Sequence, residues 1–197
     1  MSCSAWAMNS TSISPPGRRR TSHGPAEKIA ADAAAMRARI ARELPPAGPW
    51  DVKLRAGGLM EVEFIAQALQ LIYAPARPEL WNPTTRLALA GLAEAGLLGR
   101  EDAALLLRAD RLYRTVLGLL RVAIGRAPPA SPANAAPSAL PEAVAAALVH
   151  AVRASGEAVL DVAGLMATLD ELGRAVRGAF QRQVGPLAPA PMEEEET

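Results

Sequence analysis

Leu105, Leu112, Val116, Leu119 and Ala123 follow one another at intervals of seven, four, three and four residues, until Gly125 ends the run. Side chains at such intervals share one face only in an α-helix, where about 3.6 residues complete a turn. Glu101 and Asp102 put negative charge on the first turn, where the helix dipole favours it. A single helix of this length cannot bury its own apolar face, so other elements must cover it. The composition says of what kind. Alanine occurs 43 times and aromatic residues make up only 4% of the chain. Alanine loses no side-chain entropy in a helix, whereas strands favour aromatic and β-branched residues. The expectation is an all-α fold, with 197 residues sufficient for one domain.

Proline and glycine divide the remaining sequence. Pro25 can open a helix from Ala26 to Leu44, with a stripe of Ile29, Ala33, Met36 and Ile40, closed by Pro45-Pro46. Ala47-Gly48-Pro49-Trp50 reads as a loop and Asp51 to Leu54 as extended, before Gly57-Gly58 leads into a helix from Leu59 to Tyr73. Asn82 as N-cap and Pro83 at the first helical position predict a helix from Thr84 to about Ala95. Two more are predicted from Pro141 to Arg153 and from Val162 to Val184. Short connections between residues 59 and 125 favour an up-and-down helical bundle. Residues 1–24 and 186–197 are expected to be disordered tails, the second acidic. The intervening bundle spans 25–185, with a Pro/Ala-rich loop at 126–140 that contains four prolines. Trp50 and Trp81 are read as packing anchors.

Charge and cysteine content exclude several classes. A net charge of +1, with no run of four to eight basic residues, offers no field for nucleic acid or anionic lipid. Cys3 is the single cysteine, so no intramolecular disulfide and no cysteine-based zinc site can form. The first twenty residues lack the apolar run of a signal peptide, and a cytoplasmic location is expected. His23 and His150 are isolated in sequence and are expected not to bind metal; no metal site is predicted.

The stretch from Asp51 to Leu71 carries the candidate site. On a helical wheel starting at Leu59, Glu63, Gln67 and Gln70 fall on one polar stripe, suited to face a cleft. Glu61 falls alone between Ala68 and Ile72 on an apolar side, where a carboxylate needs a partner. It either caps the helix or serves a site, and an arginine of the bundle could balance it. Gly57 and Gly58 have two readings. They either let the chain turn into the helix or let a phosphate approach its N–H groups, with Lys53 and Arg55 supplying counter-charge. The spacing favours the plain turn, since neither a Walker loop nor a G-x-G-x-x-G motif is present.

The segment Met36-Arg37-Ala38-Arg39-Ile40, the motif Asp51-Val52-Lys53…Gly57-Gly58-Leu59-Met60-Glu61-Val62-Glu63-Phe64-Ile65-Ala66-Gln67 and the segment Ala93-Glu94-Ala95-Gly96-Leu97-Leu98 together resemble the C-terminal part of bacterial glutamine synthetase adenylyltransferases. The likeness runs over about residues 30 to 185, more weakly near Arg177 to Phe180. PII uridylyltransferases share a related Gly-Gly signature, but Glu-Phe-Ile-Ala-Gln fits the adenylyltransferases better. Where the family often has Gly-Pro this chain has Arg55-Ala56, which weakens a direct phosphate role.

The resemblance implies a helical bundle of the kind that follows a nucleotidyltransferase domain. Such a bundle completes the cleft for AMP transfer to, or removal from, glutamine synthetase. The implied partners are glutamine synthetase, the PII signalling protein and the missing nucleotidyltransferase domain. Magnesium and ATP are implied for the full-length enzyme, with no cofactor bound by this chain alone. The metal-binding Asp-x-Asp of the catalytic domain occurs nowhere here, so no catalytic residue is assigned and the chain is expected to be inactive by itself. A truncated gene product or a mis-chosen start would account for this. The rival expectation is a free-standing, non-catalytic helical interaction module.

Overall fold

The computed structural model describes residues 24–124 and 140–185; the expectations placed on both tails and on nearly all of the Pro/Ala-rich loop lie outside the described residues. Among the described residues there are six α-helices and no strand: α1 (Pro25–Glu43), α2 (Leu59–Tyr73), α3 (Thr85–Glu94), α4 (Arg100–Ile124), α5 (Glu142–Ala154) and α6 (Val162–Gln183), with one 3₁₀ turn at Pro78–Leu80. Each helix packs on its successor in the chain, and α2, α4 and α6 also pack on one another. These three form the centre of an all-α bundle. α1 covers α2, α3 lies against α2 and α4, and α5 lies against α4 and α6.

The helix boundaries follow the predicted punctuation to within a residue or two, while several faces and connections differ. On α1 the buried side chains are Ala34 and Arg37, and Met36 is 50% exposed. The helix is turned away from the all-apolar stripe because Arg37 has a buried partner on α2. On α4 the buried apolar positions are Ala103, Leu106, Ala109, Leu112, Tyr113, Val116 and Leu120, whereas Leu105 and Leu119 are half-buried and Ala123 is exposed. α4 contacts four other helices, so its buried arc is wider than one stripe and is centred elsewhere.

Asp51 to Leu54 is a series of turns, not an extended segment. The Asp51 carboxylate accepts from the N–H of Leu54 at 3.0 Å and of Ala47 at 3.1 Å, which curls the chain around it. Asn82 does not cap α3. Its Oδ1 accepts from the N–H of Thr84 at 2.9 Å in an Asx turn, and Thr84 occupies the N-cap. Trp50 is a buried anchor, but Trp81 is 61% exposed and anchors nothing within the fold.

An ion pair between the exposed Arg108 and the buried Glu157 ties α4 to the α5–α6 connection. Arg108 donates to Glu157 from Nε at 2.9 Å and from Nη2 at 2.7 Å, in the two-pronged geometry that guanidinium and carboxylate favour. These hydrogen bonds hold the Glu157 carboxyl below its ordinary pKa. A depressed folded-state pKa contributes stability that is present above the unfolded value and is lost as pH falls through the folded one. The expected result is a steeper acid-side loss of melting temperature in the native chain than in Glu157→Gln. Equal slopes below about pH 5 would count against this linkage.

Candidate functional site

The loop before α2 folds its carbonyls over the start of that helix. The N–H of Gly58 donates to Arg55 O at 2.9 Å, that of Leu59 to Val52 O at 2.9 Å, that of Met60 to Lys53 O at 3.2 Å and that of Glu61 to Gly58 O at 3.0 Å. The N–H groups that a helix N-terminus ordinarily leaves free are therefore already used. Gly57 takes a φ of +69°, and a Cβ placed on it would lie 1.8 Å from the carbonyl oxygen of Gly173 on α6. A Cβ on Gly58 would lie 2.6 Å from Val52 O. Tyr113 on α4 donates its hydroxyl to Gly57 O at 2.8 Å, and burial pushes its phenol well above the ordinary pKa.

Gly57 and Gly58 are thus buried at the contact of loop, α4 and α6. This corrects the phosphate-approach reading of the pair, because neither space nor free N–H groups remain there. Lys53 is half-buried and its backbone carbonyl joins the cap on α2.

Glu61 is fully buried and does not cap the helix, a task the loop carbonyls already perform. Its Oε1 accepts from Arg37 Nε on α1 at 3.1 Å and from Arg177 Nη1 on α6 at 3.0 Å. Arg37 Nη2 also donates to Leu54 O at 3.0 Å and Arg55 O at 3.2 Å. One carboxylate thereby joins three helices and the loop.

The polar stripe of α2 divides. Gln70 is 4% exposed, and its Nε2 donates to Leu80 O at 2.9 Å and Asn82 O at 3.0 Å, so it fastens the connection to α3 and does not face open space. Glu63 and Gln67 line an open hollow of about 570 Å³, together with Thr84, Thr85, Asp110 and Arg114. Arg114 stands between two carboxylates. Its Nε donates to Asp110 Oδ1 at 2.7 Å and its Nη2 to Glu63 Oε1 at 3.1 Å, with Thr85 Oγ1 at 3.4 Å. Burial opposes the charge on Arg114, but the two carboxylates more than offset it and raise its pKa. The hollow is a fixed polar surface with hydrogen-bonding capacity and an open mouth. Sequence reading did not find Asp110 and Arg114, although their spacing of four on a helix was the available signal.

A family model described as GlnD PII-uridylyltransferase matches residues 33–183, which include every residue of the Glu61 cluster and of the hollow. The chain belongs to this family. Its relatives include bifunctional glutamine synthetase adenylyltransferase/adenylyl-removing enzymes. The enzyme of Rhodopseudomonas palustris (strain BisB5) is 34% identical over 157 residues, covering 80% of this chain and 15% of the relative. That of Xanthobacter autotrophicus is 36% identical over 155 residues, 79% of this chain and 14% of the relative. That of Bradyrhizobium sp. (strain BTAi1) is 40% identical over 96 residues, 49% of this chain and 10% of the relative. The chain thus spans about 15% of the length of the first of these relatives. Among the described residues, no helix of this family member is long and apolar enough to cross a membrane.

Proposed function

We propose that this chain acts as the helical part of a glutamine synthetase adenylyltransferase, completing the nucleotidyltransferase cleft and contributing to recognition of glutamine synthetase. The observation that carries this reading is the placement of Glu63 and Gln67 at an open polar hollow beside Arg114, within the region that the family match covers. On this reading the protein works in the cytoplasm and the PII protein is a further partner.

Magnesium and ATP act in the catalytic domain. The hollow does not fit the metal: the carboxylates of Glu63 and Asp110 are both engaged by the Arg114 guanidinium, whose positive charge stands where a cation would have to sit. The role of this chain is to position and recognise, with the chemistry supplied by its partner domain.

The test uses a fusion that supplies an upstream nucleotidyltransferase domain. Glu63→Gln keeps the shape of the side chain but removes the charge that holds Arg114 at the mouth of the hollow. AMP transfer to glutamine synthetase is expected to fall by about tenfold, the equivalent of one charge-assisted hydrogen bond, with little change in melting temperature. Full activity in this variant would remove the hollow from the cleft.

A further inference from the structure

Beside the Glu61 cluster lies a second groove, of about 370 Å³, between the loop before α2 and the outer face of α6. Asp170, Arg174, Arg177 and Gln181 line it from α6 at intervals of four, three and four residues, and Arg55 lines it from the loop. Gly173 lies in the same wall and puts no side chain into the space. Three guanidinium groups therefore face one carboxylate.

The donors of this groove are only partly used. Arg55 Nη2 is hydrogen-bonded to Asp170, but Arg55 Nη1 is buried without an acceptor. Arg177 gives Nη1 to Glu61, and its other nitrogens have no acceptor among the described residues. Arg174 is exposed and has no hydrogen-bond partner among the described residues. The charge behind the groove does not cancel the excess, because Glu61 is balanced by the buried Arg37. A tetrahedral anion with several acceptor oxygens matches such a set, since guanidinium forks bind phosphate through two parallel hydrogen bonds.

We propose that the groove formed by Arg55, Arg174 and Arg177 binds a phosphate group, either free or carried by a nucleotide. The site is distinct from the start of α2, where the N–H groups are occupied, and from the hollow around Glu63. It stands on the geometry of this groove and does not depend on the assignment of the cleft. Asp170 is its internal competitor: it holds Arg55 until an anion takes its place.

The experiment measures the melting temperature of the full chain in sodium phosphate, AMP and, at equal ionic strength, sodium chloride. A site of millimolar affinity at about twentyfold excess of phosphate is expected to raise the melting temperature by about 4–7 °C over the chloride control. Arg174→Gln should remove that rise without changing the melting temperature in chloride, because Arg174 is exposed and makes no hydrogen bond or ion pair among the described residues. Asp170→Asn frees Arg55 and should increase the affinity about threefold or more. A rise with AMP equal to that with phosphate assigns the site to the phosphate group whatever carries it. A rise with phosphate alone assigns it to the free ion. Equal stabilisation by chloride, or a phosphate response unchanged in both variants, would overturn the proposal.

Discussion

Alanine at position 57 is expected to lower the stability of the fold by about 4 kcal/mol or more, well above the ordinary effect of a single substitution. Two costs add. Gly57 holds φ at +69°, where an L-residue is strained by about 1–2 kcal/mol. The larger cost is steric: the new Cβ would stand 1.8 Å from Gly173 O, and no rotamer change relieves a contact between Cβ and backbone. The loop and α6 would have to separate, and with them the Tyr113 hydroxyl from Gly57 O and Arg177 from Glu61. Gly96 supplies the control. It has a φ of +72° with nothing near a would-be Cβ, so Gly96→Ala carries the strain alone and should cost only about 1–2 kcal/mol. Urea unfolding of both variants checks this. Equal losses at the two positions would mean that the close approach of loop and α6 does not hold the bundle together.

The same pair of glycines shows where sequence reading ends. That Gly57-Gly58 precedes a helix and permits a turn was legible, because no other residue takes a left-handed conformation as readily. What the turn serves was not. Whether the helix N–H groups face an incoming phosphate or the carbonyls of the preceding loop depends on how residues 52–55 fold back, and the Asp51 hydrogen bonds decide that. Local punctuation placed all six helices. Their faces were harder, since a wheel knows the helix but not its neighbours. Met36 lies on the apolar stripe of α1 yet is exposed, while Arg37 beside it is buried by its bond to Glu61. Gln70 lies on the stripe of Glu63, but two turns further along the helix it meets the chain around Leu80 and Asn82. The isolation of Glu61 did show in the sequence, together with its need for a counter-charge. The partners are 24 residues earlier and 116 later, separations that no local pattern reports.

That counter-charge gives the second large effect expected. Arg37→Met keeps much of the length and apolar stem of the side chain but removes the charge from beside a fully buried carboxylate. Glu61 would then rely on Arg177 alone, and the carbonyls of Leu54 and Arg55 would lose their donor. Breaking a buried ion pair from one side costs about 3–5 kcal/mol, because the charge left behind remains desolvated, and Arg37→Met is expected to fall in that range. Adding Glu61→Leu to Arg37→Met removes the stranded charge. The double variant should therefore be more stable than Arg37→Met by about 1 kcal/mol or more, although Glu61→Leu in the native background destabilises by leaving Arg37 buried without its partner. Recovery would remain incomplete, since the two loop carbonyls still lack a donor and Arg177, being partly exposed, turns to solvent. A double-mutant cycle in urea measures the coupling. Strict additivity of the two substitutions would show that Glu61 and Arg37 do not depend on each other, and the link between α1 and the rest of the bundle would then have to rest on apolar packing and on the hydrogen bonds from Arg37 to the loop carbonyls.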